Sequence, residues 1–213
     1  YSKPPLIAWL IYATTGICGD GEFCVRLSSP IVHTLTALVV FLIGQRLYDT
    51  RTGVLSALVF ATLPGVSVSA GIVSTDVPLL FGWALALYAF VLLLETRAWW
   101  PALLLGAALG FGLNAKYAMA WFALSVGIYM FATPSARRLL GDARLYVALL
   151  IAAGLIAPNI LWNLAHKFAT FAHTADNAKW HGSLINPLKA LEFIGAQFGV
   201  FGPILFAALM VLT

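Results

Sequence analysis

Charged residues are scarce in this chain of 213 residues. Only 9% of the residues are charged, 62% are hydrophobic, and the mean hydropathy is +0.94. Soluble globular domains carry about 25% charged residues, so the composition excludes a soluble domain, a disordered tail and a fibrous repeat. The sequence also lacks the alternation of polar and apolar residues that is typical of membrane barrels. It therefore predicts an all-α protein that crosses a membrane several times.

Basic residues are also few, and they are scattered. The chain has 12 lysines and arginines and 8 acidic residues, which gives a formal net charge of +4. Because the basic residues flank apolar runs, we attribute them to the edges of membrane spans and expect no nucleic acid as a partner. The sequence has no phosphate-binding loop, dinucleotide fingerprint or nucleophile elbow.

The intervals between charges divide the chain into membrane spans, each of which needs about 20 mostly apolar residues. The predicted spans are 29–45, 54–71, 77–94, 99–114, 117–133, 145–163 and 192–212. The first apolar run, residues 4–19, is short for a hydrocarbon core of about 30 Å. We predict that it forms a short helix at the interface. Because the chain begins at Tyr1 and ends at Thr213 inside an apolar run, we expect residues 1–213 to be one membrane domain of a longer protein.

Alternation of the spans determines which connections share a side of the membrane. Three short connections, 46–51, 95–97 and 137–144, fall on one side and hold six arginines. Their density of positive charge identifies this side as cytoplasmic. The other side holds Arg26, Asp76, Lys116 and the segment 164–190. We therefore expect a multi-pass protein of the plasma (inner) membrane whose polar, active face is periplasmic or otherwise extracytoplasmic.

Three ionisable residues on the outer side are candidates for chemistry. Lys3 precedes a rigid Pro-Pro pair and can present its ammonium group to a phosphate, or it can lie at the interface. Asp76 precedes Val-Pro and an apolar run, as helix N-caps do, but ionisable groups at membrane depth are also typical of functional sites. Lys116 is the only charge between Arg97 and Arg137, and it can face a lipid phosphate or extend from a turn to the interface.

Histidine and cysteine leave further alternatives open. His173 lies seven and eight residues from His166 and His181, which is not the spacing of a zinc motif, so a hydrogen-bonding role is favoured over a metal site. Cys18 and Cys24 flank a five-residue turn that contains glycine. They can form a disulfide on an oxidising side of the membrane, or remain two small thiols.

Several short motifs resemble glycosyltransferase family 39 and its relatives, which include the protein O-mannosyltransferases and the lipid A aminoarabinose transferase. The motifs are YSKPPLIAWL at 1–10, GEFCVRL at 21–27, RLY at 46–48 with Gly53, TDVPL at 75–79, LNAKY at 113–117, and PNILWN at 158–163 followed by Phe171 and His173. They occur in the family's order over nearly the whole chain. The resemblance implies the GT-C fold, a helical membrane bundle.

The resemblance also implies roles for the candidate residues. Lys3 matches a lysine that faces the donor phosphate, and Lys116 is a second candidate, since cations stabilise charge on a phosphate leaving group. Asp76 matches a secondary acidic position in the same cavity, and the main catalytic acid would precede Tyr1. His173 matches a loop histidine that shapes a donor or metal site in some members. We expect all four candidate residues to converge on one outer cavity.

The family often has glutamate immediately before the Lys-Pro-Pro motif, where this chain has Ser2. A metal site that uses this glutamate is therefore in doubt, and we assign no metal ligand and no certain cofactor. The resemblance implies an inverting hexosyl- or pentosyltransferase that moves a sugar from a polyprenyl-phosphate donor to lipid A, another envelope glycan or a protein. The expected partners are the lipid-linked sugar, that acceptor and membrane lipids. The alternative is a transporter of lipids or lipid-linked sugars that catalyses no reaction.

Overall fold

The computed structural model describes residues 4–170 and 186–212. Within these two ranges every regular element is helical, so the all-α prediction is confirmed. The α-helices are α1 (Leu6–Cys18), α2 (Glu22–Leu47), α3 (Thr50–Thr62), α4 (Pro64–Ala70), α5 (Asp76–Thr96), α6 (Trp99–Ala115), α7 (Ala120–Ala132), α8 (Pro134–Arg137), α9 (Ala143–Ala165), α10 (Pro187–Phe201) and α11 (Pro203–Leu212). Single 3₁₀ turns, Tyr117–Met119 and Arg138–Gly141, precede α7 and follow α8.

Three of the described helices are long and apolar enough to cross a membrane as single elements. They are α2, α5 and α9, with 26, 21 and 23 residues, and they confirm the predicted spans 29–45, 77–94 and 145–163. Large apolar side chains point outward from them, for example Leu38 at 55% and Leu150 at 70% exposure. With so few charges on the same surface, this exterior is suited to lipid, and the chain is a membrane protein.

The remaining predicted spans differ from straight membrane-crossing helices. The predicted span 54–71 is divided into α3 and α4 by a 61° bend, and 192–212 is divided into α10 and α11 by a 117° bend. At both places a proline, Pro64 or Pro203, is the first residue of the second helix. Because proline lacks a backbone N–H and clashes with the preceding turn, the helix restarts there in a new direction. These two predicted spans are therefore broken helices instead of straight ones.

One of the seven predicted spans is shorter than a full membrane-spanning helix. If each of three bent pairs is one span, the described residues contain at most six spans by length and composition, against the seven predicted. The seventh, 99–114, corresponds to α6, which has only 17 residues. At 1.5 Å per residue, α6 is roughly 25 Å long, which is shorter than a typical hydrocarbon core. It is apolar except for Asn114 and packs between α5 and α9.

Glycines allow the helices to approach one another closely. A Cβ on Gly53 of α3 would lie 2.6 Å from the carbonyl oxygen of Phe41 in α2, and a Cβ on Gly44 would lie 2.8 Å from the Cα of Gly53. A Cβ on Gly106 of α6 would lie 2.6 Å from the carbonyl oxygen of Ala148 in α9. Membrane helices associate through such small residues, because lipid supplies no hydrophobic driving force between helices.

Ion pairs confirm which connections lie together. Arg46 at the end of α2 bonds to Glu95 at the end of α5, with 2.6 Å between Nε and Oε2. Arg97, in the next connection, lies 3.4 Å from Asp142 at the start of α9. These contacts join the three arginine-bearing connections at one end of the bundle, as the alternation of spans predicts.

A disulfide joins α1 to α2 at the opposite end. Cys18, the last residue of α1, is bonded to Cys24 in the first turn of α2, and their Cα atoms are 5.8 Å apart. The chain reverses between them at Gly19, whose φ of 88° favours glycine. The 13 residues of α1 match the predicted short helix within 4–19, and its position at the membrane interface stays a prediction.

Candidate functional site

Asp76 and Lys116 meet at the same end of neighbouring helices. Asp76 is the first residue of α5, and Lys116 follows the last residue of α6, which runs antiparallel to α5. Lys116 Nζ donates to Asp76 Oδ1 at 2.7 Å, and Ser74 Oγ donates to the other carboxylate oxygen at 3.2 Å. The side chains of Lys116 and Asp76 are 46% and 54% exposed, so the pair remains accessible.

The predicted N-cap role of Asp76 is wrong. Thr75 is the N-cap residue of α5, and no side chain accepts the capping hydrogen bond. Asp76 instead lies within the first turn, where the positive end of the helix dipole stabilises a carboxylate. Its oxygens are therefore directed to Ser74 and Lys116 instead of to the helix backbone.

A polar network that we did not predict continues from Lys116. The hydroxyl of the next residue, Tyr117, donates to Asn159 Oδ1 of α9 at 2.5 Å. Asn163, one turn further along α9 and fully buried, donates from Nδ2 to the main-chain oxygen of Asn159 at 2.9 Å. Asn163 Oδ1 accepts the backbone N–H of Thr170 at 3.1 Å, which ties Thr170 to α9.

A cavity of about 290 Å³ opens beside this network, between α1, α6 and α9. Its lining includes Pro5, Trp9, Asn114, Asn159, Trp162 and Thr170. The imidazole of His166 stacks on the indole of Trp162, with 4.1 Å between ring centroids and 12° between planes, and this contact holds the indole in place. We call this space the indole cavity.

A second cavity lies on the neighbouring face of α1. It has a volume of about 260 Å³, and its lining is apolar. The lining side chains come from α1, α2, α5 and α6, and they include Leu6, Leu10, Val32, Phe81 and Phe111. We call this space the apolar cavity.

Two of the four predicted site residues can be placed. Asp76 and Lys116 are in direct contact at the end of the bundle opposite the arginine-bearing connections. Lys3 and His173 lie outside the described residues, so the convergence of all four stays a prediction. Pro5, two positions after Lys3 in the sequence, lines the indole cavity.

No group of three histidine, cysteine, aspartate or glutamate side chains within 4–170 and 186–212 is arranged to hold a metal ion. The two positions on which the family's metal site depends, Ser2 and His173, lie outside those ranges.

Sequence reasoning missed the role of the asparagines, although it noted their motif. Asn159 and Asn163 are four residues apart in an otherwise apolar helix and therefore share one face. Polar amides inside a membrane span need partners. That spacing was the available signal, but the partner Tyr117 comes from a different helix and only the fold identifies it.

Comparison with known proteins identifies the family. Residues 2–162 match the sequence profile of the family described as dolichyl-phosphate-mannose-protein mannosyltransferase. The chain belongs to this family, which agrees with the resemblance of its motifs to glycosyltransferase family 39.

Several similar curated proteins are named as sugar transferases. The chain is 39% identical over 211 residues to the lipid A galacturonosyltransferase RgtD of Rhizobium johnstonii, a match that covers 99% of the chain and 44% of that protein. It is 31% identical to the lipopolysaccharide core galacturonosyltransferase RgtA of the same species, over 97% of the chain and 43% of that protein. It is also 31% identical to the undecaprenyl phosphate-alpha-4-amino-4-deoxy-L-arabinose arabinosyl transferase of Pseudomonas aeruginosa, over 78% of the chain and 30% of that protein.

The chain thus spans less than half the length of these relatives. No solved structure matches the chain significantly.

Proposed function

We propose that this chain is part of a membrane glycosyltransferase that moves a sugar from a polyprenyl-phosphate donor to an envelope acceptor. The observation that carries the proposal is the accessible pair of Asp76 and Lys116, 2.7 Å apart at the end of the bundle where the indole cavity opens. A transfer of this kind needs a cation for the phosphate that leaves and a carboxylate for the hydroxyl that attacks.

The side chains of Lys116 and Asp76 are suited to these two roles. Lys116 carries a compact positive charge on a flexible stem, so it can exchange Asp76 for a lipid phosphate without a change of backbone. Asp76 then orients the acceptor hydroxyl, or accepts its proton as the bond to the sugar forms. We assign Lys3 to the same phosphate and His173 to the donor side of the site. The main catalytic acid lies in the longer protein, before Tyr1.

The names of the relatives narrow the substrates. RgtD and RgtA are named for galacturonosyl transfer to lipid A and to the lipopolysaccharide core, and the Pseudomonas aeruginosa relative is named for an undecaprenyl-phosphate donor. We therefore propose lipid A as the acceptor and polyprenyl-phosphate-linked galacturonic acid as the first donor to test. Such a reaction places the protein in the inner membrane, with its active face towards the periplasm. No step of the proposal uses a metal.

The test uses the full-length protein in membranes, with radiolabelled polyprenyl-phosphate galacturonic acid or aminoarabinose as donor and lipid A as acceptor. We expect label in lipid A with one of the donors, and a large loss of that label in Asp76→Ala. Asp20→Ala is the matched control, because Asp20 is an exposed carboxylate in the turn between α1 and α2. Absence of transfer with both donors, together with passage of intact lipid-linked sugar across vesicles, would establish the transporter instead.

A further inference from the structure

The indole cavity has a lining that suits one sugar ring, an inference that rests on the proposed function. Its volume of about 290 Å³ is near the lower limit of roughly 300 Å³ for small-molecule pockets, so it suits one ring better than a chain of sugars. The indoles of Trp9 and Trp162 line it. A sugar ring can pack its C–H face on such flat apolar surfaces, while its hydroxyl groups still need hydrogen-bonding partners.

One such partner is the amide of Asn114. Its Nδ2 donates to the carbonyl oxygens of Gly110 and Leu155, each at 2.9 Å, so both of its N–H groups are used. The Oδ1 is left as an acceptor, and no group in the described part of the chain donates to it. Asn114 is only 3% exposed and lines the cavity. A ligand hydroxyl in the cavity can therefore donate to this oxygen.

The orientation of Asn159 is fixed by its neighbours. Because Asn163 Oδ1 accepts from the backbone of Thr170, Asn163 Nδ2 is the donor that lies 3.4 Å from Asn159 Oδ1. The Tyr117 hydroxyl donates to the same oxygen. Asn159 Oδ1 is therefore occupied within the protein, and Nδ2 is the end of this cavity-lining amide that remains for a ligand.

We propose that Trp9, Trp162, Asn114 and Asn159 form a monosaccharide subsite. The indoles hold the ring, Asn114 Oδ1 accepts from one hydroxyl, and Asn159 Nδ2 donates to another. Sugar hydroxyls both donate and accept, so they match an acceptor and a donor that share one cavity. The described lining has no charged side chain, so it recognises the ring and its hydroxyls instead of a carboxylate or an amine. The sugar of the lipid-linked donor and a sugar of the acceptor share this chemistry.

Trp9→Ala in the full-length protein tests the subsite with two probes, undecaprenyl phosphate and undecaprenyl phosphate-alpha-4-amino-4-deoxy-L-arabinose. Binding of each probe is measured in lipid nanodiscs. The Kd of undecaprenyl phosphate divided by the Kd of the sugar-bearing probe is the factor by which the sugar strengthens binding, and this is the ratio compared between variants. We expect Trp9→Ala to reduce this ratio roughly two- to twelvefold, the range for loss of one aromatic packing contact. Trp9→Phe should retain part of the ratio. The matched control is Tyr12→Ala, an aromatic residue on the same helix that is 81% exposed and outside the cavity lining.

Transfer kinetics separate the two sources of sugar. A reduced ratio together with a raised KM for the lipid-linked sugar assigns the subsite to the donor. An unchanged ratio with a raised KM for lipid A assigns it to the acceptor. If Trp9→Ala matches Tyr12→Ala in both measurements, the subsite is refuted. If the wild-type protein transfers no sugar but Trp9→Ala still reduces the ratio, the subsite stands and the proposed transferase function is refuted.

Discussion

The crossing of α2 and α3 permits a prediction with an internal control. A methyl group added by Gly53→Ala would lie 2.6 Å from the Phe41 carbonyl oxygen and 2.9 Å from the Gln45 backbone nitrogen. Both neighbours are backbone atoms of α2, so the contact is relieved only if the two helices move apart. The same substitution at Gly127, inside α7, meets no atom within 4 Å.

The comparison isolates the cost of the contact. Both positions are inside helices, where alanine is favoured over glycine by up to about 1 kcal/mol, and this gain is common to the two variants. The difference between them is therefore the overpacking cost at the α2–α3 crossing, about 1–3 kcal/mol. Gly127→Ala should equal or exceed the wild type in stability, and Gly53→Ala should fall below it.

Equilibrium unfolding of the full-length protein in mixed micelles, titrated with sodium dodecyl sulfate, measures the difference. Intact helix content in both variants before titration is the control for folding. Equal free energies of unfolding for Gly53→Ala and Gly127→Ala would refute the reasoning, because they would show that the two helices do not approach as closely as the structure has them.

Three further predictions concern the two ends of the bundle. Asp76→Asn should change the melting temperature little, since an exposed ion pair contributes at most about 1 kcal/mol. The same substitution should lower the rate of sugar transfer by a factor of about 10²–10⁴. A near-normal transfer rate would show that Asp76 takes no part in the reaction. Cys18 should not react with a maleimide in the unreduced protein but should react in Cys24→Ser, and a labelled Cys18 peptide from the unreduced wild type would exclude the disulfide. The hydrogen bond from the Arg144 backbone N–H lowers the pKa of Asp142. The ionised Asp142 carboxylate therefore stabilises the folded protein fully above the ordinary aspartate pKa of about 3.9. This stabilisation is lost as the pH falls through the lowered pKa. The wild type should therefore have a higher Tm than Asp142→Asn at pH 7, and this difference in Tm should disappear in acid. A difference in Tm that does not depend on pH would contradict the prediction.

The helical class could be predicted because it depends on composition, and the connections that share one end of the bundle could be predicted from the alternation of spans. The helix breaks could not, because proline has no single outcome in a membrane span. Pro30 and Pro158 lie inside α2 and α9 without dividing them, whereas Pro64 and Pro203 begin new helices. Whether a freed carbonyl finds another partner depends on the packing around it, and one sequence does not contain that information.

One part of the candidate site could also be predicted from the sequence, and another part could not. The contact of Asp76 with Lys116 follows from alternation, since antiparallel neighbours bring the start of one helix beside the end of the other. The binding groups of the indole cavity do not follow from it. Asn114 and Asn159 are on different helices, and which end of each amide is occupied depends on partners such as Gly110 and Tyr117. The sequence shows that both residues are polar amides. Only the fold shows which amide oxygen or N–H group is not used within the protein and can bind a ligand.

Helix α1 lies between the indole cavity and the apolar cavity and contributes side chains to both. Pro5 and Trp9 stand on the stripe that faces the indole cavity, and Leu6 and Leu10 stand on the adjacent stripe, which faces the apolar cavity. These stripes are 100° apart, the rotation of a single residue. The rotational setting of α1 therefore determines which of its side chains face the cavity that contains the asparagines and which face the apolar cavity, and the disulfide at Cys18 anchors that setting at one end. Deletion of one residue between Leu10 and Cys18 would turn α1 by 100°. Pro5 and Trp9 would then take the positions of Leu6 and Leu10 beside the apolar cavity, and Pro4 and Ala8 would take theirs beside the indole cavity.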